Sequence, residues 1–292
     1  MQQVEVQLNL EGFALKIKPE PVLKWVGGKG QLLAQFQKFM PTHFNHYFEP
    51  FVGSAALFFH LQPKVATLND FNPNLIGLYR DVQNQLEELL QVLAPLRACY
   101  HSLSPESQEK EYYRLRNRYN QLPTGVLEKS ALLIFLNKTG YNGLYRENSQ
   151  GGYNVPFGRY DNPSMFSEEK LRAVAVALEG VRLLNSDFEQ AVENASKGDF
   201  VYFDPPYMPL SKTSSFTGYT KEDFGQSSQE RLAGVVRRLV ERGVQVMLSN
   251  SDTEFIRKLY WDFQIHEVKA SRAINSKPDA RGKITELVIT NY

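Results

Sequence analysis

The chain has 292 residues, of which 42% are hydrophobic and 22% are charged, and its formal net charge is +1. These values are ordinary for a soluble globular protein with a sizeable core, and no apolar run approaches the length of a membrane span. The single cysteine, Cys99, excludes a disulfide framework and a Cys-type zinc site. We therefore expect a cytoplasmic protein with no signal peptide, no membrane partner and no bound metal.

Basic residues are concentrated in two parts of this nearly neutral chain. Bases outnumber acids between residues 110 and 160, and again in the stretch VKASRAINSKPDARGK at residues 268–283. A single run of bases is usually a solvated surface. Two basic surfaces on a neutral body are instead typical of a protein that holds an anion on one face.

Residues 1–80 predict an N-terminal arm followed by the start of an α/β unit. The arm covers residues 1–20. The predicted elements after it are a helix at 29–40, a strand at 46–51, a helix at 53–61 and a strand at 64–70.

From about residue 81 to residue 160 helical patterns dominate. The predicted elements are helices at 81–93, 104–120 and 126–138, and a loop rich in Gly and Asn at 139–160. Ser104 and Pro105 form a typical cap and first-turn pair for the second of these helices.

After residue 161 strands and helices alternate again. The predicted strands lie at 181–186, 200–203, 244–250, 263–270 and 284–292, and the helices at 168–178, 228–242 and 253–260. Strands joined by crossover helices predict a mostly parallel α/β sheet, whereas the last two strands predict an antiparallel hairpin at its edge. The pattern divides the chain into an α/β domain at 21–80 and 161–292 and a helical domain inserted at 81–160.

Polar residues lie at or just after the carboxyl ends of several predicted strands. They are Glu49, Asp70, Asp187, Asp204 and Asn250. In open α/β sheets, ligands bind outside the carboxyl ends of the strands. An acid after the second strand, Asp70, can accept hydrogen bonds from ribose hydroxyls, and Gly53 supplies a turn that lets the backbone approach a nucleoside.

The stretch LKWVGGKGQLL at residues 23–33 fails the test for a phosphate loop. Leu23 stands where the first glycine should be, and Gly30 replaces the Ser or Thr that holds magnesium. We exclude an NTPase, although Lys29 and its glycines can still surround a carboxylate- or amine-bearing ligand.

The strongest chemical signal is Asp204-Pro205-Pro206-Tyr207 at the end of an apolar strand. Each proline fixes φ and removes an N–H donor, so the turn is rigid and its carbonyls are predicted to be free to accept hydrogen bonds from a ligand. Asp204 adds a second acceptor and Tyr207 a stacking surface. Together they predict a receptor for a planar ring that carries an exocyclic amino group.

Four stretches together resemble a known family. KWVGGKG, EPFVGSAALFF, GYNGLYRENSQGGYNVPFGRY and DPPY occur in the order found in DNA adenine methylases of the Dam type, a D12 class family, and the resemblance runs from Leu23 to the C-terminus. It implies transfer of a methyl group from S-adenosylmethionine to adenine N6 in GATC within double-stranded DNA. It also implies a Rossmann-like methyltransferase fold with a mostly parallel seven-stranded sheet, and we expect a monomer.

The resemblance assigns roles position by position. The implied catalytic residues are Asp204, Pro205, Pro206 and Tyr207. The implied cofactor contacts are Trp25, Lys29, Phe48, Glu49, Pro50, Gly53, Asp70, Asp187, Phe188 and Asp204. The implied DNA contacts, in or beside the helical domain, are Lys24, Tyr141, Asn142, Leu144, Arg146, Arg159 and Tyr160, with Arg146 reading guanine.

The chain departs from the family at two points. Ala55 replaces the second glycine of the F-x-G-x-G pattern, and the residues around Arg146 differ in detail. These departures bear on cofactor fit and on the preference for flanking bases.

Other functions remain open at this stage. The same acceptor geometry suits RNA adenine or a protein amide, and a DNA-binding homologue without catalysis would keep the fold. A solitary regulator, a restriction–modification partner and a phage enzyme are equally compatible with the motifs.

Overall fold

The structure is a computed structural model that describes residues 17–210, 224–271 and 283–292. Most of the predicted N-terminal arm and most of the basic loop before the last strand lie outside the described residues. None of the helices in these described ranges is both long and apolar enough to cross a membrane.

Seven strands form one sheet, and each coincides with a predicted strand. They are β1 (Tyr47–Glu49), β2 (Ala66–Asn69), β3 (Arg182–Leu184), β4 (Phe200–Phe203), β5 (Gln245–Ser251), β6 (Gln264–Ser271) and β7 (Lys283–Thr290). Their spatial order is β3-β2-β1-β4-β5-β7-β6. The first five strands in this order run parallel to one another, whereas β7 runs antiparallel to both β5 and β6. The predicted Rossmann-like fold with an antiparallel edge hairpin is therefore confirmed.

The described helices surround this sheet and also form the region before β3. They are α1 (Leu33–Phe36), α2 (Ala56–Leu61), α3 (Pro73–Asn84), α4 (Leu86–Ser102), α5 (Pro105–Gln121), α6 (Leu127–Thr139), α7 (Glu168–Leu178), α8 (Phe188–Ala191), α9 (Gln226–Glu241) and α10 (Glu254–Leu259). Short 3-10 turns lie at Lys29–Gln31, Gln37–Phe39 and Tyr141–Gly143.

Two predicted helices were wrong in their extent. The helix expected at 29–40 is broken into α1 and two 3-10 turns. The helix expected at 81–93 is divided at Gln85, whose φ of −139° and ψ of 38° are not helical. The Asn72 side chain caps the start of α3 and Pro73 occupies its first turn, so this helix begins eight residues earlier than predicted.

Apolar side chains pack on both faces of the sheet, because successive residues of a strand point in opposite directions. Tyr202 of β4 belongs to an apolar cluster that includes residues of α2, α3 and α6, and Val201 belongs to a second cluster that includes residues of α8, α9 and α10. The first cluster continues without a break into α4 and α5. The division into a catalytic and an inserted helical domain stays a prediction.

Candidate active site

The polar residues predicted at the strand ends lie along the carboxyl edge of the parallel strands. Glu49 ends β1, Asp70 follows β2, Asp187 follows β3 and Asp204 follows β4. The side chain of Asn69 ties three of these ends together. Its Nδ2 donates to the carbonyls of Pro50 (2.9 Å) and Ser186 (3.0 Å).

Asp204 is paired with Lys29, which comes from the glycine-rich segment before α1. Lys29 Nζ lies 2.8 Å from Asp204 Oδ1, and it also donates a hydrogen bond to the carbonyl of Gly27 at 2.6 Å. No donor within the described ranges meets Asp204 Oδ1 with hydrogen-bond geometry. This oxygen is shielded from solvent and paired with the ammonium, whereas the Asp204 side chain as a whole is 18% exposed and keeps a second carboxylate oxygen as an acceptor for an N–H group of a ligand.

Two carboxyl groups share this buried site. Burial raises the pKa of Asp204 above its ordinary value, although the neighbouring Lys29 ammonium opposes the shift. Burial also raises the pKa of Glu49 well above its usual range, more than the hydrogen bond from Tyr47 lowers it, and the charge of Asp204 raises it further. A site with two carboxyls and one ammonium favours a ligand that brings positive charge.

The turn after β4 is held by side chains from three other elements. Gln229 Nε2 donates to the Pro206 carbonyl at 2.8 Å, and Asn250 Oδ1 accepts from the Met208 amide at 3.1 Å. The Tyr207 hydroxyl donates to Glu286 of β7 at 2.9 Å. The expectation that both proline carbonyls are free was wrong for Pro206, because a buried glutamine occupies that acceptor.

The glycine turn after β1 lies against Trp25. Gly53 has a φ of 46°, and a Cβ on it would lie 2.9 Å from Trp25 Cδ1. Its amide donates to Asp70 Oδ2 at 3.1 Å, while Asp70 Oδ1 accepts from the Asn72 amide at 2.9 Å. Burial raises the pKa of Asp70 despite these two hydrogen bonds. Asp70 therefore anchors the turn. Each of its carboxylate oxygens accepts one backbone N–H and can accept a further hydrogen bond, which the predicted contact with a ribose requires.

Aromatic rings line the next part of the edge. Phe51 stacks on Phe188, with ring centroids 5.4 Å apart, and the Arg231 guanidinium lies 4.1 Å from the Phe188 ring. Arg231 also pairs with Asp187 through two contacts of 2.6 and 3.0 Å. Burial alone would raise the pKa of Asp187, but the hydrogen bonds from Arg231 and from a backbone amide leave it below its usual value.

Phe48 is buried, as are Glu49 and Phe188 among the other predicted cofactor contacts. Only 3% of it is exposed, and its ring stacks on His46 at 4.2 Å. Its side chain thus packs in the core beside the sheet.

The predicted DNA-contacting residues gather around the loop after α6. The Asn142 amide donates to the Tyr160 hydroxyl at 2.7 Å, and Lys24 Nζ lies 5.7 Å from the Tyr160 ring. The buried side chain of Asn137 joins the loop to Lys24, bonding the Lys24 amide (2.8 Å) and carbonyl (2.9 Å) and the Gly143 carbonyl (2.8 Å). Sequence reasoning missed Asn137, whose signal was one amide within the apolar run of α6.

Four predicted contact residues of this loop, Asn142 among them, are exposed to solvent. Tyr141 is 51% exposed, and Arg146 is exposed while its Nε donates to Asn154 Oδ1 at 2.7 Å. Arg159 is also exposed and lies 3.6 Å from Glu109. Leu144 is half-buried, and its carbonyl accepts from the Tyr153 hydroxyl at 3.1 Å.

One ring joins this loop to the strand ends. Tyr145 stacks on Trp25 with centroids 5.1 Å apart and an interplanar angle of 27°. Trp25 therefore lies between the Gly53 turn and the loop that carries Arg146. Sequence reasoning did not identify Tyr145, because its partner lies 120 residues away along the chain.

Comparison with known proteins gives the family of this chain. Residues 25–274 match the profile of a family described as "D12 class N6 adenine-specific DNA methyltransferase". The type II methyltransferase M1.LlaDCHI of Lactococcus lactis subsp. cremoris is 43% identical over 95% of this chain and 97% of its own length. The type II methyltransferase M.MjaIII of Methanocaldococcus jannaschii is 44% identical over 94% of this chain and 99% of its own length. The DNA adenine methylase of Escherichia coli (strain K12) is 35% identical over 93% of this chain and 95% of its own length. The chain belongs to the D12 class of N6 adenine-specific DNA methyltransferases.

Proposed function

We propose that this adenine-specific DNA methyltransferase transfers a methyl group from S-adenosylmethionine to N6 of an adenine flipped out of duplex DNA, within the sequence GATC. The observation that carries the proposal is the acceptor pair at the end of β4. Besides the oxygen that pairs with Lys29, the Asp204 carboxylate keeps a second acceptor oxygen, and the Pro205 carbonyl that follows it in the turn accepts no hydrogen bond from the described part of the chain. Two such acceptors suit the two hydrogens of an exocyclic amine.

The residues at this edge fit a sulfonium cofactor with an amino-acid tail. The buried carboxyls of Glu49 and Asp204 suit its positive charges, and the Gly53 turn leaves no room for a side chain beside Trp25. Phe51 and Phe188 offer an apolar position for its adenine, and Asp70 lies at the end of β2 for its ribose. S-adenosylmethionine, when bound, supplies the methyl group on an electrophilic sulfonium.

Asp204 and Pro205 activate the methyl acceptor. The lone pair of adenine N6 is delocalised into the ring, which makes the amine a poor nucleophile. Hydrogen bonds from both N6 hydrogens to Asp204 and to the Pro205 carbonyl favour tetrahedral geometry and release that lone pair for in-line attack. Because the turn is already held in place, these acceptors need little reorganisation during the reaction.

The loop after α6 supplies the DNA contacts in this proposal. Flipping the adenine costs a few kcal/mol, and stacking on the Tyr207 ring offsets about 1–3 kcal/mol of it. Lys29 Nζ lies 4.8 Å from that ring, so the stacked base takes its other face. Exposed Tyr141 and half-buried Leu144 fill the gap left in the duplex.

Arg146 is the proposed reader of guanine. Its Nε is engaged by Asn154, which fixes the direction of the guanidinium and leaves the two terminal nitrogens to pair with guanine O6 and N7. The weaker contact from Nη2 to the Asn154 carbonyl, at 3.3 Å, is the one that such pairing replaces.

The relatives carry two kinds of name, which point to two biological settings. Some are named type II methyltransferases and others DNA adenine methylases. The proposal of GATC rests on the likeness to the second group and on the position of Arg146.

The test is transfer of labelled methyl from S-adenosylmethionine to duplexes that contain GATC, with single-base variants alongside. We expect N6-methyladenine in GATC alone. Label confined to a variant duplex would keep the reaction and refute the recognition sequence. Cofactor binding without label in any DNA would refute the proposed reaction.

A further inference from the structure

A buried pair of amide side chains holds the turn that carries the acceptor groups. Gln229 of α9 and Asn250 of β5 are both fully buried. Gln229 Nε2 donates to the Pro206 carbonyl at 2.8 Å, Asn250 Nδ2 donates to Gln229 Oε1 at 3.0 Å, and the Met208 amide donates to Asn250 Oδ1 at 3.1 Å. With the backbone from residue 206 to 208, these three bonds form a closed ring.

The direction of every bond in this ring is fixed. A carbonyl only accepts and an amide N–H only donates, so the Pro206 carbonyl requires Nε2 of Gln229, and the Met208 amide requires Oδ1 of Asn250. The remaining oxygen of one side chain then meets the remaining nitrogen of the other. If any one donor of the ring is replaced by an acceptor, two acceptors face each other inside the protein, and this costs free energy of folding.

The ring has a consequence for the neighbouring acceptor. It occupies the Pro206 carbonyl, and the side chain of Ser251 adds a bond of 2.6 Å to the Met208 carbonyl. The Pro205 carbonyl is left for the substrate. It belongs to the Pro205–Pro206 peptide, which is joined to the peptide that the ring holds through the φ and ψ of Pro206, and holding the Pro206 carbonyl restrains this ψ. Proline rings fix φ but not ψ, so the prolines alone do not fix the direction of the Pro205 carbonyl.

We propose that Gln229 is a positioning residue for methyl transfer, which aims the Pro205 carbonyl at the adenine amine by holding Pro206. This inference rests on the proposed function of Asp204 and Pro205. Gln229 contacts neither substrate nor cofactor in this role, and it acts only through the turn.

The test is Gln229→Glu, which keeps the size of the side chain and replaces the Nε2 donor by a carboxyl oxygen. When ionised, the introduced carboxyl opposes the Pro206 carbonyl; when protonated, it donates to it and restores the ring. Burial raises the pKa of such a carboxyl, so the exchange falls in an accessible pH range. The single-turnover rate relative to the unaltered protein should fall about tenfold to a hundredfold as the pH rises, with cofactor affinity little changed.

The matched control is Gln264→Glu, the same exchange at an exposed residue of β6. Its rate relative to the unaltered protein should not vary with pH. A ratio for Gln229→Glu that is equally independent of pH would overturn the inference. Gln229→Met removes the hydrogen bonds without adding a charge. Its single-turnover rate should therefore be lower than that of the unaltered protein by the same factor at every pH.

A second readout does not depend on catalysis. Protein labelled with 13C at its methionine methyl groups reports on Met208 in the turn and on Met165, which is buried elsewhere. In Gln229→Glu the Met208 signal should change with the pH at which the introduced carboxyl ionises, while Met165 should not. A Met208 signal that does not respond refutes the ring, whereas failure of the unaltered protein to label unmethylated genomic DNA refutes the proposed function.

Discussion

The turn after β4 and the loop after α6 solve different problems with different physical means. In the turn, Asp204, Pro206 and Tyr207 are each engaged by a partner from another element, namely Lys29, Gln229 and Glu286. In the loop, the backbone is braced by buried side chains, but Tyr141, Arg146 and Arg159 extend into solvent.

The difference fits the roles proposed for the two regions. A methyl transfer gains from acceptors that are already in position, since reorganisation of the site adds to the barrier. Recognition of a DNA sequence requires long side chains that enter a groove. These side chains must be able to replace hydrogen bonds to water by hydrogen bonds to base edges. Substitutions in the turn should therefore alter the rate, and substitutions in the loop should alter the choice of sequence.

The largest expected effect is that of Asp204→Ala. Loss of this acceptor should lower the single-turnover rate on the order of a thousandfold, as loss of a principal transition-state contact does in other enzymes. The measurement is methyl transfer under saturating cofactor, with cofactor binding followed separately. Asp262→Ala, which removes an exposed aspartate paired with Arg237, is the control. Normal turnover by Asp204→Ala would remove the turn from the mechanism.

Arg146→Ala should act on specificity rather than on rate. A bidentate contact to guanine contributes about 1–3 kcal/mol of discrimination, or roughly a tenfold to hundredfold preference. The preference for cognate over single-base variant duplexes should fall by that factor at one base pair. Asn154→Ala, which frees the Arg146 Nε, should cause a smaller loss at the same base pair. Unchanged discrimination in both variants would exclude this reader.

The pH dependence of transfer should report the environment of Asp204. Its pKa is raised by burial, so transfer should be lost as the pH falls through this raised pKa, at a higher pH than an unperturbed aspartate would show. Lys29 opposes that shift, so Lys29→Gln should move the acidic limb to still higher pH, whereas Lys29→Arg should keep its position. The measurement is the single-turnover rate at saturating cofactor. An acidic limb that Lys29→Gln leaves in place would show that another group controls it.

Burial of a carboxyl group with a raised pKa should lower the free energy of unfolding at neutral pH. A group whose pKa is raised on folding contributes stability that is present below its unfolded pKa and is lost as the pH rises through the folded value. Glu49→Gln should therefore raise the thermal midpoint at neutral pH, because the amide needs no proton to remain buried, while it weakens binding of the cationic cofactor. A lower midpoint together with unchanged cofactor binding would contradict this view of Glu49.

The sequence predicted the sheet well because each strand is a short apolar run between turn signals. Helix boundaries were less predictable. The division at Gln85 was not predictable, because the apolar pattern continues across it while only the backbone torsions of Gln85 leave the helical region.

The site was predictable where chemistry is local in the chain. The Asp-Pro-Pro-Tyr run shows its carboxylate, stiff backbone and aromatic ring together. The partners that hold it were not predictable, because Gln229 and Glu286 lie 23 and 79 residues from the atoms that they bind. Such contacts depend on how strands and helices pack, and a lone polar residue in an apolar pattern is their only trace in the sequence.

The smallest expected effect is at the contact that joins the two regions. Tyr145 stacks on Trp25, which lies against the Gly53 turn, and Tyr145 precedes Arg146 in the loop. An aromatic pair contributes about 0.5–1.5 kcal/mol beyond its buried area, so Tyr145→Leu should weaken cofactor affinity and Arg146-dependent discrimination by a few-fold each. Trp25→Leu should have a similar effect, and the double variant should lose less than the sum, because both changes remove one contact. Full additivity would mean that the turn and the loop act independently, and that the stack only fills space between them.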